Sequence, residues 1–162
     1  MINKECTKCL RVKPISAFGK AVGNKDNLTK ECKPCGNLRA KNYKRTKRGL
    51  LCRIYYQQKK YSVRRKHYMP NYSLGELRLW AFSQPCFHAL YDNWEKSCYL
   101  TALKPSFDRL NDYMPYTLDN LQIITWEQNI SKGYADRKNG INNKLSKAVI
   151  QMTQDGLFIA KH

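Results

Sequence analysis

The chain predicts an α+β fold built in series. An N-terminal module stapled by paired cysteines comes first, then basic helices, then a strand–loop–strand–helix unit and a short C-terminal hairpin. Three observations carry this. Cys6-x-x-Cys9 and Cys32-x-x-Cys35 stand as two tight pairs ahead of a long basic stretch. From Leu38 to Tyr68 the chain has no Pro, and its Lys and Arg residues are interleaved with Tyr. Leu121–Thr125 is rich in β-branched residues and runs into the capping signature Thr125-x-x-Gln128, so a strand leads directly into a helix.

At 162 residues the chain makes one ordinary domain or two small ones, and its 42% apolar content supports only a small core. We expect divisions at 1–40, 41–100, 101–138 and 139–162. Large apolar side chains are scarce before Ala40: Leu10, Ile15, Phe18, Val22 and Leu28 are nearly all. Such a segment cannot offset its chain entropy by burial, and a metal staple would make up the difference. A C-x-x-C turn presents two sulfurs to one ion, and a second turn completes a tetrahedron with Zn–S bonds of about 2.3 Å. Cys6, Cys9, Cys32 and Cys35 are therefore expected to hold zinc. The role is structural, because four thiolates leave no open position for water. Cys52, Cys86 and Cys98 lack such partners and are expected as isolated thiols.

Lys and Arg number 30 against 12 Asp and Glu, a formal charge of +18. No acidic residue occurs between Glu31 and Glu76. Balanced charges would keep a protein soluble equally well, so the excess points to a polyanionic partner. A membrane is disfavoured, since no apolar run approaches the length of a span. No signal peptide follows Met1, and the seven cysteines then suggest a reducing compartment.

The basic arm reads as two helices, or one kinked at Gly49. Leu51, Ile54, Tyr55 and Gln58 form a narrow apolar stripe at helical spacing. Opposite-sign partners at i,i+4 are missing, so Arg45, Arg48, Arg53, Lys59, Lys60, Arg64 and Arg65 are expected to meet phosphates. Ser73-x-x-Glu76 is a capping box that opens the next helix. Pro85 can open a second, on which Phe87, Leu90, Tyr91 and Trp94 share a core face. His88 lies off that stripe.

Ser106–Leu110 reads as a strand, Leu121–Thr125 as a second, and a helix runs from Trp126 past Lys132. Asp108 on the first strand and Asn129 on the helix can face one another. Their oxygens are hard ligands suited to Mg²⁺ or Mn²⁺. In the tail, Lys147–Ile159 with its Asp-Gly turn is a hairpin signal.

Pro105-Ser-Phe-Asp-Arg-Leu-Asn-Asp, Tyr116-Thr-Leu-Asp-Asn-Leu-Gln and Asn129-Ile-Ser-Lys132 together resemble the HNH, or ββα-metal, nuclease motif of many phage-encoded endonucleases. The resemblance extends to Leu51-Cys-Arg-Ile-Tyr-Tyr-Gln-Gln-Lys, Ser83-Gln-Pro-Cys-Phe-His-Ala-Leu-Tyr-Asp-Asn-Trp94 and the leading cysteine pairs. It implies that Asp108 and Asn129 bind the catalytic metal, that Asn120 braces the loop between the strands, and that Lys132 touches phosphate. The family's histidine after the aspartate is its general base. Here that position is Arg109, which stays protonated and is a poor proton acceptor. Three readings remain open: a histidine from elsewhere supplies the base, with His88 ranked ahead of His67; Arg109 stabilises the transition state while metal-bound water deprotonates with little help; or the chain binds DNA without cutting it.

The expectation is therefore a metal-dependent DNA endonuclease that nicks double-stranded DNA, phage-encoded and acting in the cytoplasm of a bacterial host as a monomer or weak homodimer. It would use structural Zn²⁺ and catalytic Mg²⁺ or Mn²⁺. The alternative is a zinc-containing DNA-binding or regulatory protein with a decayed nuclease fold.

Overall fold

The computed structural model describes residues 2–140. The hairpin expected in the tail lies outside the described residues. Helices are mixed with three two-stranded antiparallel sheets. The chain divides into two compact units, Met1–Gly49 and a second from Leu50 onward. In the second unit the helices after Leu50 and the strands after residue 101 build one common core.

The first unit opens with β1 (Asn3–Glu5) and β2 (Val12–Pro14), paired antiparallel with Lys4 opposite Lys13. Their connection is a tight turn closed by Leu10 N–H to the Cys6 carbonyl at 2.8 Å and Cys6 N–H to the Arg11 carbonyl at 3.1 Å. Leu10 completes it at φ 56°. A second hairpin pairs β3 (Phe18–Lys20) with β4 (Leu28–Cys32), across a turn in which Gly23 and Asn27 take positive φ. Cys32 then caps α1 (Lys33–Arg45), whose first turn holds Pro34 and Cys35. Proline fits there because its missing N–H would lack an intrahelical partner anyway. None of these four short strands is visible as hydrophobic alternation in the sequence, because they are three to five residues long and bury only Phe18 and Cys32. The core of the unit is Phe18 with Cys6 and Cys32, flanked by Ala17, Leu28, Cys9 and Cys35. Leu10 and Val22 stay outside, 72% and 99% exposed.

The break between helices falls at Thr46 rather than at Gly49. The Thr46 hydroxyl donates to the Tyr43 carbonyl at 2.8 Å and accepts from Gly49 N–H at 3.0 Å, ending α1 and starting α2 (Lys47–Arg65). Gly49 has a different task. A Cβ there would fall 1.9 Å from the Tyr43 carbonyl oxygen, so only glycine permits the approach.

In the second unit, α3 (Leu74–Phe82) begins at Ser73 with both halves of its capping box made. α4 (Pro85–Lys96) follows, burying Phe87, Tyr91 and Trp94. β5 (Pro105–Arg109) pairs antiparallel with β6 (Leu121–Thr125), with Asp108 opposite Gln122 and Arg109 opposite Leu121. Leu110, expected in the strand, lies beyond it and is exposed. α5 (Trp126–Lys138) starts from β6 without a linker, through the complete capping box of Thr125 and Gln128. The core gathers Leu50, Leu51 and Ile54 of α2, Leu77 and Ala81 of α3, the α4 face, Phe107 of β5 and Leu121 of β6. Edge-on aromatic contacts tie it together: Phe107 meets Trp80 at 5.7 Å and Phe87 at 5.9 Å. Among the described residues no helix is long and apolar enough to cross a membrane.

Candidate metal centre and active-site cleft

The first unit places one cysteine pair on the β1–β2 turn and the other where β4 passes into α1. All four sulfurs lie within 4.8 Å of one another. Zn–S bonds of about 2.3 Å in a tetrahedron set sulfurs roughly 3.8 Å apart, so the group fits one ion with little adjustment. The cluster could hold a structural metal ion such as zinc. Backbone amides already favour thiolates. Cys32 N–H donates to Cys6 Sγ at 3.2 Å and is the main reason the Cys6 pKa falls to about 6. The Cys35 amide similarly lowers Cys32. Cys35 is pushed up to about 12, first through its bond with Cys32: neighbouring thiolates need a cation before all can ionise. Lys13 adds positive charge, its ammonium 3.3 Å from Cys32 Sγ, and that bond raises its own pKa. Of the other cysteines, Cys52 is half-buried and Cys86 and Cys98 are exposed.

The second unit holds a cleft of about 560 Å³ walled by α2, β5 and α5. Asp108, Arg109, Asn129 and Lys132 all line it. Strand alternation puts Ser106 and Asp108 on one face of β5. Positions 129, 132, 133 and 136 form one face of α5, and all four line the cleft. The two faces are joined by hydrogen bonds. Asn129 Nδ2 donates to Ser106 Oγ at 2.7 Å, which leaves its Oδ1 as the available ligand atom. Asp108 Oδ2 accepts from Gln122 Nε2 at 3.2 Å and lies 3.1 Å from the Lys132 ammonium. Asp108 and Asn129 thus share the cleft, each held by a different partner.

Lys132 is more occupied than its expected phosphate role requires. Its ammonium lies 3.1 Å from Asp112, 3.4 Å from Asp136 and 3.4 Å from the Arg109 carbonyl, as well as beside Asp108. Burial works against its charge, but the bonds to Asp108 and Asp112 prevail and raise its pKa.

Arg109 is 3% exposed. It pairs with Asp112 at 3.3 Å, donates to the Met114 carbonyl at 3.0 Å and lies over the Tyr116 ring at 5.1 Å. Burial pulls its pKa below the ordinary guanidinium value. Arg109 therefore pins the loop after β5. Asn120 holds the same loop from the other side: its carboxamide bonds Asn111 N–H and the carbonyls of Asn111 and Pro115, at 2.9, 3.1 and 3.0 Å.

Neither His88 nor His67 lines the cleft. The His88 Nε2 lies 2.9 Å from the Phe82 carbonyl and its ring stacks on Phe82. His67 reaches the cleft only through Arg109, its Nδ1 lying 3.1 Å from Arg109 Nη1. A guanidinium only donates, so Nδ1 must accept and the imidazole carries its proton on Nε2. His67 stands in a loop with no motif around it.

The basic candidates are dispersed. Arg45 and Arg48 belong to the first unit. Arg53, Lys60 and Arg64 are exposed on α2, and Lys59 lies 5.6 Å over the Tyr55 ring. Only Arg65 of this set lines the cleft, 3.4 Å from the Tyr116 hydroxyl.

No family model matches the chain, and neither the curated proteins nor the solved structures contain a match to it.

Proposed function

We propose that the chain is a metal-dependent endonuclease of the HNH kind that nicks double-stranded DNA. The observation that carries this reading is the cleft in which Asp108, Asn129 and Lys132, all positions of the motif resemblance, meet on a strand–strand–helix unit. The +18 charge suits a DNA partner. A phage-encoded protein working in a bacterial cytoplasm fits the same resemblance.

Asp108 and Asn129 Oδ1 would hold Mg²⁺ or Mn²⁺, a fit of hard oxygen donors to a hard cation. Such an ion supplies charge stabilisation to the scissile phosphate and its leaving oxygen. The chain's own residues do the rest. Arg109 fixes the loop and places positive charge beside the site; with Nδ1 engaged, His67 donates from Nε2 rather than accepting there. Lys132 can turn from its carboxylates toward a phosphate. Water adds to phosphorus, the P–O3′ bond breaks, and the proton passes to the 3′ oxygen, leaving a 5′-phosphate and a 3′-hydroxyl. One site per chain makes a single-strand nick the unit event.

The test is Asp108→Ala. Plasmid nicking with Mg²⁺ or Mn²⁺ should vanish while gel-shift affinity stays within a few-fold; persistent cutting would refute the site. A second reading, a DNA-binding protein with a decayed nuclease site, is favoured by Arg109, which stands buried where a base is expected. Tight binding with no cleavage under Mg²⁺, Mn²⁺ or Zn²⁺ would make it the better one.

A further inference from the structure

The cleft has a side that hydrolysis does not use. Along α5, positions 126, 130, 134 and 137 follow one another at helical spacing, and all line the cleft. Tyr134 is 65% exposed and Ile130 40%. From the α2 wall, Tyr61 joins them at 37% exposure. Each aromatic ring has a cation over it: Arg137 at 4.6 Å from Tyr134, Arg65 at 5.5 Å from Tyr61, and Lys104 at 4.2 Å from Trp126. Large apolar and aromatic side chains lining an open cleft mark a binding surface more often than an accident of packing.

We infer that this wall binds the unstacked bases of single-stranded DNA, with Tyr134 and Tyr61 as stacking platforms and Arg137 and Arg65 beside the backbone. Rings flanked by cations suit this ligand, because every base offers a π-face and every nucleotide a phosphate. An intact duplex keeps its bases stacked on one another and cannot use such rings. The inference rests on the cleft being the nucleic-acid site and specifies which part of the substrate enters it: a frayed, gapped or otherwise opened strand beside the scissile phosphate.

The test is fluorescence anisotropy of the full chain with a labelled oligothymidylate and with a blunt duplex of equal length, in buffer without Mg²⁺ or Mn²⁺, so that binding is read apart from cleavage. Tyr134→Ala should weaken single-strand binding by roughly 5- to 100-fold, the span of one lost base stack, and duplex binding by less than about twofold. Tyr134→Phe should restore the affinity. Both side chains are exposed, so folding is not at stake; Tyr61→Ala provides an independent repeat. Equal loss on both DNAs, or none on the single strand, overturns the inference while leaving the nuclease reading intact. Failure of the wild-type chain to bind either DNA overturns both.

Discussion

Removing the metal from Cys6, Cys9, Cys32 and Cys35 is expected to unfold the first unit and leave the second folded. Phe18 is the one large apolar side chain fully buried before Leu50 among the described residues. Burying it contributes about 1.5–3 kcal/mol. Ordering just two residues costs about as much, at ~1–2 kcal/mol each for the backbone. A structural zinc ion contributes on the order of 10–16 kcal/mol, several times what Phe18 can offer. The assay separates the two units cleanly, because Trp80, Trp94 and Trp126 all lie beyond Leu50. With a strong zinc chelator, the urea midpoint read by tryptophan emission should stay where it is. Tryptic cleavage after Lys8, Arg11, Lys20 and Lys30 should accelerate by on the order of tenfold or more, as local unfolding exposes those bonds. Protease resistance that survives metal removal, confirmed by metal analysis, would refute the reasoning.

Three further outcomes follow from other sites. Arg109→Met would leave the Met114 carbonyl without its buried donor and the Asp112 carboxylate with Lys132 alone, costing about 1–3 kcal/mol in urea unfolding. Thr125→Ala removes the α5 cap and should cost about 1 kcal/mol, with a matching loss of nicking because Asn129 and Lys132 ride on that helix. The Glu76 pKa is lowered, first by the backbone N–H of Ser73. A lowered carboxylate stabilises the fold above its unfolded value, near ~4.3, and that stability is lost as pH falls through the folded value. Glu76→Gln should therefore flatten the pH dependence of the urea midpoint below about pH 5 while keeping the cap.

Elements with strong local signals were legible in the sequence. Both capping boxes form, at Ser73–Glu76 and Thr125–Gln128. The α4 stripe buries Phe87, Tyr91 and Trp94, and the α2 stripe buries Leu51, Ile54 and Gln58. The cysteine spacing brings four sulfurs together as expected. What stayed hidden depends on tertiary approach. The strands of the first unit are three to five residues long and bury only Phe18 and Cys32, so they carry no alternation to detect. The contact of Arg109 with His67 spans 42 residues and belongs to no motif. Lys132 was expected only as a phosphate contact; its i,i+4 pair with Asp136 is local to α5, whereas Asp112 comes to it only through the fold of the β5 loop.

The sulfur-centred core of the first unit has a thermodynamic consequence. The heat capacity change of unfolding scales with apolar surface exposed, and a core of one phenylalanine and four cysteines exposes little. The stability of this unit should vary only gently with temperature, with a shallow dome in place of a steep one. With an ion held by the four sulfurs, its controls would be chemical: free metal concentration, proton concentration and the oxidation state of four thiols. Oxidising a single cysteine would act on this unit as deleting a core side chain acts on an ordinary domain.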